Sequence, residues 1–564
     1  MQWTIFDDSN YVDSKMEYVP PIRPDDSKLF SKDIFLYDKS TESIKITYSN
    51  VRSGIPISGI LLLEKNKTFG RTPNKKRLLY KCIPDDKQLP AFLIPYDQAI
   101  HFSKIVKNKF VLFKFDNWNS QHPHGILLET IGDVDHLESF YEYQLHCKSL
   151  HSSLTNFTKK TREQLQIKPE DEYILQIMNH SDFKIEDRTS HKNIFSIDPE
   201  NSLDFDDAFS IDKTQDNYKI SIYIANVYFW LETLNLWKSF SNRVSTIYLP
   251  DRKRPMLPTI LSDNLCSLKE NCVRFAFVMD IEITPTGEII RTEYKNAAIK
   301  VARNYSYESA DLLYNNPDYQ TLFSLTRILD KHTKDTHDLV AFWMIKMNAL
   351  CGTYMHQSKI GIYRTANYVR APDESDDSNT NIDTLDPDTK RVITMWNNIS
   401  GQYILYDKNI EISHDFLKKA NYIHITSPIR RLVDLLNQFI LTIDKGLTMN
   451  PSKDAMEFVE SWLKRIDYIN ASMRSIRKIQ TDCELLHRCH KQPNIMTHSY
   501  DGILFDKIRK NDGSFVYMVY LPKLKLLSRL KTYVELPDYS QRSFRIYLFA
   551  EEHSLKKKIR VKIV

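Results

Sequence analysis

The sequence predicts a multidomain α+β protein in which two small β-barrels flank a mixed α/β body. Three observations carry that prediction. Short apolar runs separated by polar turns fill 51–135 and return over 491–564, the rhythm of small antiparallel barrels. Between them, strand-like alternation gives way to long stretches of helical period. The 564 residues are enough for three or four domains with substantial cores.

Residues 1–50 hold short apolar pieces and the turn-rich VPPIRPDDS, and read as an extended or weakly folded N-terminal extension. The first barrel is assigned to 51–150 from SGILLLEK, RLLYKCI and KFVLFKF, with a helical pattern from about 136 in LESFYEYQLHCKSL. The body is assigned to 151–490. Its strands are AFSID, the strictly alternating YKISIYIANV, and RFAFVMDIEIT; its helices include DLVAFWMIKMNALCGTYM and the segment around Trp462–Leu486. The acidic, breaker-rich stretch 371–388 reads as a solvated loop. YDGILFDKI, SFVYMVYLP, SFRIYLFA and KIRVKIV make the second barrel, 491–564.

Composition excludes several functions. With 12 glycines and neither GxxxxGK[ST] nor GxGxxG, the chain has no glycine-rich phosphate loop. A net charge of +5 over this length does not announce a nucleic-acid partner, so local clusters decide. Seven cysteines without a CxxC pair exclude the usual zinc sites. They point to reduced thiols in an intracellular, cytoplasmic protein. The start, MQWTIFDDSN, is not a signal peptide. No run approaches the roughly 18 apolar residues of a membrane span, so no membrane partner is expected. A monomer is expected.

The most informative segment is Phe195–Asp212, FSIDPENSLDFDDAFSID. Asp198, Asp204, Asp206 and Asp207 place four carboxylates within ten residues, beside Leu203, Phe205, Ala208 and Phe209. Carboxylates this close repel, and apolar neighbours raise the cost by excluding water. A divalent cation resolves the conflict, and hard oxygen ligands suit Mg²⁺ or Mn²⁺, as one or two ions. On a regular strand Asp206 and Asp207 face opposite ways, so convergence on one ion requires a loop. The alternative is an Asp-rich turn before a strand.

Three further segments bear on that choice. Tyr248 lies in VSTIYLPDRKRPMLP, where its ring could stack on a base while Arg252, Lys253 and Arg254 track phosphates. An ordinary charged turn is the alternative. In HITSPIRRLVDLLNQFIL, Ser427 reads as a helix N-cap and Pro428 as the first helical residue. Arg430 and Arg431 then sit in the first turn, where positive charge opposes the helix dipole. Free backbone N–H groups and Arg430 could hold a phosphate, or either arginine could pair with Asp434. In SDNLCSLKENCVRFAF, Lys269 and Arg274 could serve RNA, in what otherwise reads as a packed loop-to-strand transition.

Together these segments resemble the RNase II/RNB family of exoribonucleases. Ser196–Ala208 fits the family pattern [ST]-I/V-D-P-x-x-x-x-D-x-D-D-A at every specified position. IYLPDRKRPMLPTILSDNLCSLKENCVRFAF is similar to its YLP…MLP…LS..LCSL…..R.AF stretch, and YIHITSPIRRLVDL to its Y-x-H-F-T-S-P-I-R-R-Y-x-D. These long motifs keep the family's order from about 190 to 440. Residues 116–135 resemble the link between the second cold-shock barrel and the catalytic body in the eukaryotic exosome's exoribonuclease subunit, through Trp118, Pro123, Gly125, Gly132 and Asp133. No room is seen for that subunit's N-terminal nuclease domain.

The resemblance implies an RNB catalytic domain at 151–490 between a cold-shock-type barrel and a C-terminal OB-fold. It implies processive 3′→5′ release of nucleoside 5′-monophosphates from single-stranded RNA. Asp198, Asp204, Asp206 and Asp207 take the metal and catalytic positions, with Arg430 at the scissile phosphate. Tyr248 takes the base-stacking position, and Arg252, Arg274, Tyr422 and Arg431 are further RNA contacts. Lys523, Lys525, Arg529, Lys531, Lys556–Lys558, Arg560 and Lys562 would contact RNA from the tail. Membership of an RNA-decay assembly stays open. Two departures stand out. Leu339–Phe342 replaces a glutamate-bearing helix segment ahead of Asn348, and Gln438-Phe439 replaces a His-Arg pair. The alternative is a catalytically weak RNA-binding scaffold.

Overall fold

The computed structural model describes all residues except 1, 8–9, 14–25, 39, 65–66, 98–105, 215, 366–400, 409–412, 415–418 and 551–556. The acidic stretch 371–388 and Lys556 therefore lie outside the described residues. The chain forms two compact units: residues 1–151, 249–251 and 478–564 make the first, and 152–248 with 252–477 the second.

In the first unit, Asn10–Asp13, Gln2–Asp7, Ile34–Asp38 and Ser43–Tyr48 form an antiparallel sheet in that order. This corrects the reading of 1–50 as weakly folded. The signal was the two-residue period of IFLYD: Phe35 and Tyr37 are buried with Leu29 and packed by Ile44 and Ile46, while Leu36 faces out. Next comes a closed barrel in the order Ile57–Leu61, Leu78–Pro84, Phe92–Tyr96, His124–Asp133, Lys109–Asn117. Its core includes Phe92, Ile94, Val111 and Phe113. The helix Leu137–Cys147 follows, as the sequence pattern predicts. The C-terminal strands pair antiparallel in the order Leu526–Thr532, Phe515–Leu521, Tyr500–Arg509, Gln541–Ala550, Lys557–Ile563. The first and last of these come within contact distance of each other.

The second unit is built on a seven-stranded mixed sheet. Its order is Ile185–Arg188, Ile289–Lys300, Val273–Ile283, Tyr218–Ala225, Asp207–Lys213, Phe195–Asp198, Arg303–Ser306. The alternation in Tyr218–Ala225 sets the faces. Ile220, Ile222 and Ile224 join Phe277, Met279 and Ile281 against Leu339, Trp343, Met347 and Cys351 of the helix Thr336–Gln357. Ser221 and Tyr223 point the other way, where Ser221 Oγ donates to Asp280 at 2.7 Å and Tyr223 Oη meets Ser210 Oγ at 3.0 Å.

The helix Thr336–Gln357 approaches Asn421 closely at Gly352, where any Cβ would collide with the Asn421 carbonyl. Asn421 has φ +56°. That contact seats the chain just ahead of Tyr422 against the helix.

Candidate active site

Asp198 ends one strand, Asp207 begins its antiparallel neighbour, and Phe195 pairs with Phe209 between them. The two carboxylates therefore emerge at the same end of the sheet. The connecting loop turns at Asn201, φ +66°, with Ser202 N–H donating to Pro199 at 3.1 Å. Ser267, fully buried, pins the loop: its Oγ donates to the Leu203 carbonyl at 2.8 Å and accepts from Phe205 N–H at 3.0 Å. Leu268 N–H donates to the Phe205 carbonyl at 3.0 Å. The loop that convergence of Asp206 and Asp207 requires is thus present, and both line the same cleft of about 650 Å³.

Asp206 is 2% exposed. Its Oδ1 accepts from Ile429 N–H at 3.0 Å, and Arg430 Nε lies 2.9 Å from Oδ2. Arg430 itself is 47% exposed, so its guanidinium spans from the buried carboxylate to the open cleft. Burial pushes Asp206 up from 3.8 to about 7, against the opposing pull of Arg430 and Ile429 N–H. Asp198 and Asp207 are also pushed up, chiefly by burial, and Asp198 further by the Asp207 charge. Asp206 Oδ2 is taken up by the Arg430 ion pair, whereas Oδ2 of Asp198 and Oδ2 of Asp207 are buried with no hydrogen-bond partner.

Asp204 differs. Its Oδ1 accepts from Lys253 Nζ at 2.9 Å, and Tyr248 Oη lies 3.4 Å from Oδ2. Lys253 also donates to Asp263 Oδ1 at 2.9 Å. Burial alone would lower the Lys253 ammonium, but the two carboxylates raise it. Among the described residues, no three of the four aspartates bring one oxygen each within 4.8 Å of one another.

A helix face closes one side of the cleft with Val340, Ala341, Met344 and Ile345, and Tyr307 lines it too. Tyr307 stacks on His337 at 3.7 Å. The unpartnered buried oxygens of Asp198 and Asp207, hard donors, fit a divalent cation. The residues that would hold it are Asp198, Asp206 and Asp207.

The RNB domain family matches residues 186–322 and 313–443, a span that contains every one of these groups. The chain carries an RNB domain. The Dis3-like cold-shock domain 2 (CSD2) matches 79–142, within the closed barrel and its following helix. DIS3-like exonuclease 2 of Xenopus tropicalis is 29% identical over 307 residues, covering 52% of this chain and 34% of that protein. The chain spans about a quarter to a half of the length of the curated relatives it matches. Apo RNase R of Mycoplasma genitalium shares the fold with a TM-score of 0.70 at 16% identity, covering all of both chains. Yeast Ssd1, a pseudonuclease, shares it with a TM-score of 0.57 at 15% identity, over 93% of this chain and 72% of that one.

The RNB motifs do not all reach the cleft. Tyr248 does, 42% exposed at its mouth. Tyr422 also lines it but is buried, its hydroxyl accepting from Asn348 Nδ2 at 3.0 Å while Asn348 Oδ1 accepts from Ile425 N–H at 2.9 Å. Arg252 is exposed and does not line the cleft. Arg274 requires correction. It is 2% exposed, and its guanidinium is committed to Asn264, the Ser267 carbonyl and Glu170, so it holds the loop that positions Ser267. The helix start is also corrected. Ser427–Arg430 forms a turn, and the helix begins at Leu432 after an extended Arg431 (φ −135°). The buried Asp434 side chain wins the competition by accepting from Ser427 N–H at 2.8 Å and from Arg431 Nη2 at 2.8 Å. Among the backbone N–H groups that could have held a phosphate, that of Ile429 is spent on Asp206. Gln438 and Phe439 are structural: Gln438 donates to the Ala225 carbonyl, and Phe439 packs on Tyr228 and Trp237.

Sequence reasoning missed Ser267, Asp263 and Tyr307. Ser267 and Asp263 lay inside a quoted motif, but only their spatial partners give them roles. In the tail, Tyr547 faces Arg560 and Phe549 faces Lys558 across two paired strands, with Arg545 opposite Lys562. Both aromatic rings are exposed.

Proposed function

We propose that this RNB protein is a metal-dependent 3′→5′ exoribonuclease that hydrolyses single-stranded RNA processively to nucleoside 5′-monophosphates. The observation that carries the reading is a cluster of three carboxylates on one cleft, Asp198 and Asp207 each with an unpartnered buried oxygen and Asp206 paired with Arg430. A bound Mg²⁺ or Mn²⁺ supplies a Lewis acid for the scissile phosphate and a more acidic attacking water. Arg430 offsets negative charge growing on the phosphoryl oxygens as water adds to phosphorus and the 3′-oxygen leaves. Asp206, hydrogen-bonded to Ile429 N–H, fixes the direction of that guanidinium. Tyr248 at the mouth offers a face for base stacking, and Val340, Ala341, Met344 and Ile345 offer an apolar wall on which any base can lie. The tail ladder of Arg545, Tyr547, Phe549, Lys558, Arg560 and Lys562 combines π-faces and cations in the way a single strand is held without sequence preference. One structural neighbour, RNase R, is known in complex with single-stranded RNA.

One observation favours a second reading, a catalytically weak RNA-binding scaffold. The helix wall opposite the aspartates carries no acid at Leu339–Phe342, and a pseudonuclease shares the fold. Digestion of 5′-labelled single-stranded RNA with Mg²⁺, beside EDTA and Asp206→Asn, separates the two. A ladder shortening from the 3′ end and lost in both controls supports the enzyme. Intact RNA that still binds with strong salt dependence supports the scaffold.

A further inference from the structure

Lys253 lines the cleft and lies in a basic run whose cations could track phosphates. Its surroundings give it another task. Nζ lies 2.9 Å from Asp204 Oδ1 and 2.9 Å from Asp263 Oδ1, so one ammonium spans two carboxylates. Asp263 is a fixed post. It sits in the helical turn Leu261–Leu265, in which Leu261, Ser262 and Leu265 are buried. Ser262 Oγ donates to the same Asp263 Oδ1 at 2.6 Å. The next residue, Asn264, is gripped by the buried Arg274, which donates to its carbonyl and to its Oδ1, each at 3.1 Å. Tyr248 and Lys253 pair directly across the short ladder Ile247–Tyr248/Lys253–Arg254, so their side chains leave the same face. Tyr248 Oη lies 3.4 Å from the other oxygen of Asp204. The side chains are 24% exposed at Lys253, 13% at Asp204 and 17% at Asp263, so solvent screens the bridge only partly.

One cation against two carboxylates leaves negative charge over, which repels a phosphate rather than drawing it in. What the bridge supplies is direction. It ties Asp204, on the loop between Asp198 and Asp207, to a turn that buried residues hold in place. We propose that Lys253 is a positioning residue that spans from Asp263 to Asp204, fixes Asp204 beside Tyr248 at the cleft mouth, and serves no RNA phosphate. The proposal rests on the exoribonuclease reading for its kinetic consequences, while its binding consequences stand without hydrolysis.

The test measures steady-state hydrolysis of single-stranded RNA with Mg²⁺ by the full chain carrying Lys253→Met, Lys253→Arg or Asp263→Ala, and binding of the same RNA in EDTA over a range of salt. Lys253→Met should lower kcat about tenfold, because a released Asp204 loses its geometry. Asp263→Ala should lower kcat as well, although it removes an acid and would free Lys253 to grip RNA more tightly. The two changes together should be no worse than either alone. Lys253→Arg, which can span the same carboxylates, should recover kcat to within about threefold. In EDTA, Lys253→Met should leave the salt slope of binding unchanged, where loss of a phosphate contact would reduce it by about 0.7. In a Tyr248→Ala background it should weaken binding no further. If Lys253→Met does not fold, Asp263→Ala and Lys253→Arg carry the same comparison. A reduced slope with unchanged kcat, binding losses that add to those of Tyr248→Ala, or tighter binding by Asp263→Ala at full kcat overturns the proposal, and a wild-type ladder then leaves the exoribonuclease reading standing. No ladder from folded wild type overturns that reading, and the salt slope and the Tyr248→Ala background still decide the role of Lys253.

Discussion

Two buried charge clusters sit on the same seven-stranded sheet and resolve their charges in opposite ways. On one side Arg188, 1% exposed, donates to Asp280 through Nη1 at 2.9 Å and Nη2 at 2.6 Å, and to Glu186 through Nε at 2.9 Å. Lys219 and Lys295 lie 3.4 and 3.5 Å from the same Asp280. Burial would raise Asp280, but these partners hold it well below the usual carboxylate range. On the other side Asp206 and Asp207 are buried and Asp198 partly so, yet all three are pushed upward, and Asp198 and Asp207 each keep a buried oxygen with no partner. Every partner the first cluster needs is inside the protein, whereas in the second only Asp206 is paired, and Asp198 and Asp207 keep oxygens to spare. Burial of charge alone does not mark a site; burial without closure does.

Breaking the closed cluster should give the largest effect on stability. Asp280→Asn leaves Arg188 buried beside a neutral amide and should cost about 3–5 kcal/mol, read by denaturant unfolding. Asp207→Asn removes a repelling buried charge and should leave stability unchanged or raised in ion-free buffer.

Loading the open cluster should come next. Mg²⁺ at about 100 times its Kd adds about 2.7 kcal/mol, measured as a rise in Tm. The pH dependence has a definite sign. The unfolded chain ionises these aspartates above about 3.8, whereas the folded, ion-free protein holds its proton on Asp206 to about 7. The unfolded state therefore binds fewer protons between those values, and this group's contribution to stability falls as pH rises through the window. Mg²⁺ should reverse that slope, so its Tm increment should be larger at pH 8 than at pH 5.

Two smaller effects sharpen the comparison at the edge of the open cluster. Tyr248→Ala removes a stacking face expected to contribute about 1–3 kcal/mol per base. It should raise KM for RNA about tenfold with little change in kcat, by steady-state kinetics. Ser267→Ala removes the pin on the Leu203–Phe205 loop. It should cost about 1 kcal/mol in stability and lower kcat about tenfold, because carboxylates displaced by even 1 Å lose near-attack geometry.

The fold was legible where periodicity was strong. Tyr218–Ala225 and Thr336–Gln357 announced their faces because alternation and helical spacing run without interruption. The sheet within 1–50 escaped because its strands are short and its one clear signal, IFLYD, spans five residues. The aspartates were legible because their spacing in FSIDPENSLDFDDAFSID is dense and unusual. What sequence could not show is partnership across distance. Arg274 reads as a cation that could serve RNA until Glu170 and the Ser267 carbonyl are found around it. The helix at Leu432 reads as starting at Ser427 until Asp434 is seen bonding back to Ser427 N–H. Lys253 reads as one more basic turn residue until Asp204 and Asp263 appear on either side.

The most direct test of the central claim measures RNA hydrolysis by wild type, Asp207→Asn and Asp280→Asn, each at the same concentration of folded protein and saturating Mg²⁺. The account predicts that Asp207→Asn stops the 3′→5′ ladder while remaining fully folded. Asp280→Asn should shorten RNA at near the wild-type rate per folded molecule. Equal loss in both variants, or an active Asp207→Asn, would contradict the claim that the uncompensated cluster is the site of chemistry.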